Sequence, residues 1–288
     1  EEVHKAIECA SQLGIKHIRF TGGEPTVRKG LLSLIERTAQ TPGIESVALT
    51  TNAILLPGMA ADLKAAGLSR VNISLDTLDA EQYRFITRLG NLDDALKGIE
   101  AALSAGLFPV KLNTVVVRSL NQDLLSFARL TVDTPLHVRF IEYMPIGSGE
   151  DCGGCGWGPA DVVPAKEIIE TISAQAQSIG LESLQPAIAT PDGWGPAQYY
   201  RLPGAQGTVG VISAISNHFC ASCNRLRLTA DGKIKPCLFS DTEYDIRSAL
   251  RKGSEEEVLS VFKAALFHKP SGHEHRVGTR RMMSQVGG

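Results

Sequence analysis

No run of the sequence approaches the roughly 18–20 consecutive apolar residues that a membrane-spanning helix needs. The first residues carry no secretory signal pattern. The chain also lacks a strong charge of either sign, since 29 Lys and Arg against 31 Asp and Glu leave a formal net charge of −2. Nothing global therefore points to nucleic acid or to a membrane surface, and any anion site has to be local. Six cysteines in 288 residues are too few for the disulfide framework of a small secreted protein. Four of them form two C-x2-C pairs, Cys152 with Cys155 and Cys220 with Cys223. That usage fits metal chemistry in a reducing compartment, the cytoplasm or an organelle matrix. Hydrophobic content of 43% and charged content of 21% are ordinary for a globular chain. The length allows one large domain or two modest ones.

Local patterns divide the first half into alternating helices and strands. Val3, Ala6, Ile7, Ala10 and Leu13 recur at helical spacing, and Gly14 ends the run. The segments HIRFTGG, SVALTTN, RVNISLD, VKLNTVVV and VRFIEYM read as strands, with helical stretches between them. Five strands alternating with helices predict a parallel sheet or barrel. Around Pro145 the pattern breaks into PIGSGEDCGGCGWGP, a glycine-rich connector. A helix, a Pro/Gly-rich stretch, a cysteine-bearing segment, another helix and a basic tail follow. The reading is two regions, 1–145 and 146–288.

Strand alternation carries more than the strand count. A period of two puts Ile18 and Phe20 opposite Arg19 and Thr21. It sets Val71, Ile73 and Leu75 against Asn72, Ser74 and Asp76, and Val110, Leu112 and Val116 against Lys111 and Asn113. Val47 and Leu49 oppose Thr50 and Asn52, with Thr51 as an exception. One face is thus polar in four successive strands. A closed barrel fills its interior with Val, Ile and Leu, and an unpaired buried polar group costs several kcal/mol. The expectation is an open or incomplete barrel with a ligand in its mouth. An open sheet with solvated ends is the alternative. The fifth strand does not sort, because Arg139 and Glu142 fall on opposite faces.

Two short stretches carry candidate chemistry. TGGEP, Thr21 to Pro25, lies at the end of the first strand. Paired glycines let backbone approach a ligand closely, and α/β folds bind ligands at the carboxyl ends of strands. Alone, the stretch also reads as a tight turn. HFCASCNRLRLTADGKIKPCLF places Cys220, Cys223 and Cys237 in C-x2-C-x13-C spacing. A closed structural metal site wants four protein ligands, so three leave one coordination position for another group. A zinc site completed by His218 or His273 is the competing reading.

IRFTGGEP, LTTN, NISLD, RFIEYMP, HFCASCNRLRLTADGK, CLF and a terminal GG occur in one order in this chain. Together they closely resemble the GTP 3′,8-cyclases of molybdenum cofactor biosynthesis, a family of the radical SAM superfamily. GGEP alone indicates only radical SAM; the Arg pair between cysteines and the terminal Gly-Gly narrow the resemblance, which covers essentially the whole chain. It implies an incomplete (βα)6 TIM-like barrel with a C-terminal extension that binds an iron–sulfur cluster. It also implies two 4Fe–4S clusters. One, bound by C-x3-C-x2-C, is chelated by S-adenosyl-L-methionine. The auxiliary one, bound by Cys220, Cys223 and Cys237, would meet the guanine of GTP at its open iron. Thiolate ligation suits iron–sulfur chemistry. The implied reaction starts from a 5′-deoxyadenosyl radical, which takes hydrogen from C3′ of GTP. The resulting ribose radical adds to guanine C8 and gives 3′,8-cyclo-7,8-dihydro-GTP. An electron donor and the downstream cyclic pyranopterin monophosphate synthase are implied partners, and a homodimer is left open.

Site residues follow position by position. The resemblance assigns Gly22, Gly23, Glu24, Pro25, Ser74 and Met144 to S-adenosylmethionine, Met144 through its backbone. It assigns Arg19, Thr50, Lys111, Arg225 and Arg227 to GTP. A triphosphate wants several cations, and Arg offers bidentate hydrogen bonds to its oxygens. Arg225 and Arg227, two apart on an extended segment, point the same way. Any one of these arginines alone reads equally as a surface salt bridge. The tail's Gly287 and Gly288 are assigned to catalysis, with Arg280 and Arg281 nearby as further cations for the triphosphate. A frayed terminus is the alternative. The sequence departs from the family in having no C-x3-C-x2-C motif. With the first of six strands also unaccounted for, the expectation is a chain truncated before Glu1 and inactive as it stands. Another radical SAM enzyme with an auxiliary cluster, or a zinc-stabilised nucleotide-binding module, are the other readings. The pair Cys152 and Cys155 has no family role, and Cys9 reads as a packed core residue.

Overall fold

The computed structural model describes residues 1–146, 156–192, 195–272, 279 and 281–286. Strands β1 (His17–Phe20), β2 (Ser46–Thr51), β3 (Arg70–Ser74), β4 (Val110–Val116) and β5 (Leu136–Glu142) follow the five sequence segments. Between and around them lie α1 (Glu2–Gln12), α2 (Leu31–Ala39), α3 (Ala60–Ala65), α4 (Ala80–Thr87), α5 (Leu92–Ser104) and α6 (Leu124–Asp133). Caps explain several helix starts. Asp79, Asn91 and Asp123 each accept a backbone N–H from the first turn of α4, α5 and α6, satisfying donors the helix leaves unpaired. Next come α7 (Ala165–Ser178), β6 (Gln185–Pro186), β7 (Gln198–Arg201) and β8 (Thr208–Ile212). The chain continues through β9 (Arg227–Leu228), β10 (Lys233–Lys235), β11 (Tyr244–Asp245), α8 (Arg247–Lys252), α9 (Glu255–Phe267) and α10 (Met283–Val286). No helix among the described residues is long and apolar enough to cross a membrane.

One sheet runs β1-β2-β3-β4-β5-β8-β7-β6. Strands β1 to β5 and β8 are parallel, and β7 and β6 return antiparallel. Among the described residues the ends of the sheet do not pair, so this is a partial, TIM-like barrel. Arg139 on β5 donates to Asn72 on β3 at 2.7 Å, across the intervening β4.

The sixth parallel strand is β8, not one that the sequence reading had found. TVGVI is short and centred on Gly210, and it lay inside the Pro/Gly-rich stretch. Its glycine has a packing reason: a Cβ there would come within 2.9 Å of the Tyr199 ring and 3.1 Å of Arg139 Cγ. The polypeptide also crosses the boundary placed near residue 146 in both directions. Helix α7 and strand β8 join the main core with Phe127, Phe140, Ile168 and Val209. Helix α1 instead contributes Ala6, Cys9 and Ala10 to a second core with Ile234, Ile246 and Phe262. Cys9 is buried there, and burial pushes its thiol up. A smaller sheet, β11-β10-β9, carries this second unit.

Candidate active site

Register settles what lines the barrel. Parallel partners share a face, so Thr50, Asn72, Lys111, His137 and Thr208 form one row. Ser74, Asn113, Arg139 and Gly210 form the next row, and Arg19, Ala48 and Arg70 the one below. The polar alternation read from the sequence is this interior face. The fifth strand does sort. Arg139 faces inward, while Glu142 faces the helices. There Glu142 accepts the N–H groups of Ala165 at 2.7 Å, Ile215 at 2.7 Å and Ser216 at 2.8 Å. It thereby fixes the start of α7 and the turn after β8. Thr51, the exception, also faces outward, and its hydroxyl donates to Glu24 at 2.8 Å.

The interior gathers cations from distant parts of the chain. Burial holds Arg19 down at about 9, helped by the charges of Arg139, Arg225, Arg70 and Arg227. The residue as a whole is exposed, so protein atoms crowd its guanidinium without sealing it from solvent. Burial brings Lys111 to about 7, with Arg139, Arg70 and Arg19 pushing the same way. Its ammonium donates to the Asp192 carbonyl at 2.6 Å. Burial lowers Arg139, Arg225 and Arg227 as well, with Arg225 and Arg70 adding to the effect on Arg139 and Arg225 adding to that on Arg227. His137 sits at about 4, lowered by burial and then by Lys111, Arg201 and Arg139. Among the described residues, Asp192 is the one carboxylate that acts in the opposite sense, on Arg70 and Lys111. Two buried polar atoms of this interior have no partner, Thr50 Oγ1 and Arg139 Nε. Such atoms are costly unless a ligand or water completes them.

The structure therefore brings Arg19, Thr50, Lys111, Arg225 and Arg227 to one interior. It adds Arg70, Asn72, Asn113 and Arg139, which were not singled out. Arg139 donates to Asn113 at 2.6 Å as well as to Asn72 and hydrogen-bonds Tyr199. The signal for Arg139 was its inward parity with Lys111, visible once β4–β5 register is known. Arg225 also lies over the Phe219 ring, 5.1 Å from its centroid. Arg281 is different from the expectation of a cation offered to a triphosphate. Its guanidinium is held by Asp231 at 2.9 and 3.1 Å and by Glu243 at 2.6 Å, so its charge is already matched. Arg280, Gly287, Gly288, His273, Cys152 and Cys155 lie outside the described residues.

At the end of β1, Gly22 has φ +145°, a conformation L side chains rarely adopt, and a Cβ on Gly22 or Gly23 would meet nothing within 4 Å. The turn is open on that side. Glu24 is engaged by its own chain: it accepts from Thr26 N–H at 3.0 Å, the Thr26 hydroxyl, the Thr51 hydroxyl and Asn52 N–H at 2.7 Å. That set ties the glycine turn to the end of β2 and caps the one-turn helix that begins at the buried Pro25. Ser74 is exposed at the end of β3. The Met144 carbonyl accepts Ile146 N–H at 2.8 Å, and its side chain packs with Ile146, Leu238 and Val286.

Cys220, Cys223 and Cys237 are free thiols, each partly exposed. Burial raises Cys223, but the Arg225 backbone N–H, the Lys269 ammonium and the Arg225 guanidinium outweigh it, and the thiol titrates below its usual range. Among the described residues no three His, Cys, Asp or Glu side chains converge on one ion-sized point. Three thiols on two chain segments, beside cationic and N–H donors, fit the larger, anionic iron–sulfur cluster. For the cluster that chelates S-adenosylmethionine there is no such fit, because residues 1–288 contain no C-x3-C-x2-C motif.

A partial parallel barrel with a glycine turn after its first visible strand and a thiol-bearing extension defines a radical SAM protein. In agreement, the Radical SAM superfamily model matches residues 1–130, and the model described as Molybdenum Cofactor Synthesis C matches residues 136–275. Whole-chain comparison is more specific. The GTP 3′,8-cyclase of Pelotomaculum thermopropionicum is 50% identical over 292 residues, covering all of this chain and 86% of that protein. Those of Heliobacterium modesticaldum and Desulforamulus reducens are 50% and 46% identical, each again covering all of this chain and 86% of the relative. The chain belongs to the GTP 3′,8-cyclase family.

Proposed function

We propose that this chain binds GTP in the barrel interior and directs its conversion to 3′,8-cyclo-7,8-dihydro-GTP, a lyase reaction of molybdenum cofactor biosynthesis. The observation that carries the reading is the interior cluster of Arg19, Arg70, Lys111, Arg139, Arg225 and Arg227, on which, among the described residues, the one carboxylate acting is Asp192, on Arg70 and Lys111. All six are lowered by burial, and Arg19, Lys111, Arg139 and Arg227 also by neighbouring cations; such a cluster suits a polyanion, and a triphosphate is one. Lys111, Arg225 and Arg227 hold phosphate oxygens. Thr50 Oγ1 and Arg139 Nε, both without partners, supply further hydrogen bonds to the nucleotide. Arg225 and Arg227 sit between Cys223 and Cys237, so the same loop binds nucleotide and metal.

Cys220, Cys223 and Cys237 would hold the auxiliary 4Fe–4S cluster, which would supply Lewis-acid and redox chemistry beside the nucleotide. Gly22 and Gly23 leave room for the amino acid end of S-adenosylmethionine. Glu24 and Pro25 set the turn's shape, and Ser74 and the Met144 backbone contact the same ligand. S-adenosylmethionine would supply radical chemistry only beside a cluster whose C-x3-C-x2-C ligands are not among residues 1–288. The residues of this chain orient ribose and base so that C3′ and C8 meet, and they exclude water. Gly287 and Gly288, which lie outside the described residues, are given a catalytic role on the sequence resemblance alone. The chemistry needs an outside electron donor, a reducing compartment and a downstream synthase that takes the product to cyclic pyranopterin monophosphate.

The test is binding of GTP against guanosine to the 288-residue chain, before and after reconstitution with iron and sulfide. Tight GTP binding that depends on the phosphates, with iron and sulfide bound at the three cysteines, is expected. Zinc uptake in place of iron and sulfide, or equal affinity for guanosine, would replace this reading with a zinc-stabilised binding module.

A further inference from the structure

Lys269 lies two residues past the end of α9, half-buried, and turns back onto the cysteine loops. Its ammonium donates to Cys223 Sγ at 3.6 Å, to the Arg225 carbonyl at 2.9 Å and to the Pro236 carbonyl at 2.7 Å. An ammonium has three protons, and all three have protein acceptors. The acceptors are not a random set. Cys223 and Arg225 belong to the segment that carries the first two thiols, and Pro236 directly precedes the third, Cys237. One cation therefore spans both chain segments that present the ligand set.

Holding α9 in place does not require this arrangement. Val258, Phe262 and Ala265 already bury the helix in the second core, and His268 stacks on Tyr244 with ring centroids 6.0 Å apart. Arg225 and Arg227 act on Arg19 in the nucleotide interior and also feel the cysteines by charge, but no hydrogen bond from either guanidinium to a thiol is seen among the described residues. Lys269 is the cation whose hydrogen bonds go to a thiol and to the backbone beside two thiols.

We infer that Lys269 is a positioning residue of the auxiliary iron–sulfur cluster, setting the spacing of the two cysteine segments and stabilising negative charge on the Cys223 sulfur. The inference rests on the cluster reading proposed above and deepens it. Outer hydrogen bonds and nearby charge are established levers on cluster potential. A cation hydrogen-bonded to a ligating sulfur favours the reduced, more negative cluster, so its removal moves the midpoint potential to more negative values.

The experiment is anaerobic reconstitution of the full 288-residue chain with iron and sulfide, for the unaltered protein, Lys269→Met and Cys223→Ser. Iron and sulfide per chain are measured together with the midpoint potential followed by electron paramagnetic resonance. Lys269→Met is expected to load less iron and to show a more negative potential, while Cys223→Ser loses most of the cluster. Lys269→Gln keeps a donor of similar reach without the charge and carries the same test if Lys269→Met does not fold. A residue that only ties loops together would lower loading without moving the potential. An unchanged potential in the folded variant therefore overturns the inference, whatever the iron content. An unaltered chain that takes up zinc and no iron and sulfide overturns the cluster reading itself, which is a separate failure.

Discussion

The protein holds two groups of cations and treats them in opposite ways. In the extension, Arg281 is clasped by Asp231 and Glu243, and its guanidinium and the Thr229 hydroxyl hold Asp231 down at about 2. Lys235, wholly buried, donates to the Ser240 carbonyl and to Thr279 at 3.1 Å, with Glu243 at 3.9 Å. In the barrel, Arg19, Lys111 and Arg139 lie beside one another, and their proton affinities fall. The first group is a closed network that fastens the tail segment at Thr279 and Arg281 to the small sheet. The second is an unfinished one. Residue type does not distinguish them. The presence or absence of carboxylates does, and that difference separates a structural ion cluster from a receptor for an anion.

The largest expected effect comes from opening the closed group. Glu243→Ala removes the carboxylate shared by Arg281 and Lys235, leaving a buried ammonium poorly compensated. A loss of about 3–5 kcal/mol in unfolding free energy is expected, read by urea denaturation. A loss below about 0.5 kcal/mol would mean the network contributes no more than a surface pair.

Next in size are the barrel arginines. Arg225→Ala or Arg227→Ala should weaken GTP binding by roughly 1.5–3 kcal/mol each, the range for hydrogen bonds to a charged group. Guanosine binding should stay nearly unchanged in titration calorimetry. Equal losses for both ligands would show that the two arginines support the fold and do not hold phosphate.

Lys111→Met sharpens the contrast, because here deletion of a cation should help the ligand-free protein. At pH 6 the substitution is expected to raise its stability by about 1 kcal/mol, as replacing poorly compensated buried charge by apolar volume often does, while GTP affinity falls. Destabilisation would place Lys111 with the closed group.

The smallest effect is a proton count. Lys111 has an ordinary value of 10.5 and lies at about 7 in the folded protein. Between those values the unfolded chain holds a proton that the folded one does not, so stability rises with pH from about 7 upward. His137, at about 4 against 6.5, has the same sign between those two values. A bound triphosphate returns the proton to Lys111. GTP binding at pH 8.5 should therefore take up a fraction of a proton, measured in buffers of different ionisation enthalpy, and Lys111→Met should abolish the uptake. No uptake in the unaltered protein would separate Lys111 from the phosphates.

Much of this architecture was legible because strand parity is local. Asn72, Ser74, Lys111 and Asn113 alternate with Val71, Ile73, Val110 and Leu112, and the register places the polar set inside. Strand β8 was missed because a five-residue strand built around Gly210 has little pattern of its own. The need for that glycine comes from Tyr199 and Arg139, neither of them its sequence neighbour. Glu24 read as a group aimed at a ligand, yet its carboxylate is taken up by Thr26, Thr51 and Asn52. Thr51 and Asn52 lie in the next βα unit, beyond the reach of local pattern.

By itself the sequence determined that one sheet face is polar, that three thiols stand in C-x2-C-x13-C spacing, and that Arg225 and Arg227 lie between them. These follow from short-range periodicity and spacing, which the backbone geometry of a strand or loop converts directly into direction. Only the tertiary structure decided which cations are already neutralised. Arg281 meets Asp231 fifty residues away, and Lys269 reaches Cys223 across forty-six. Arg139, by contrast, is curled toward Arg70 and Arg225, with no carboxylate acting on it among the described residues. Charge compensation is a property of neighbours in space, so the same residue type becomes a clasp in one place and a binding site in another.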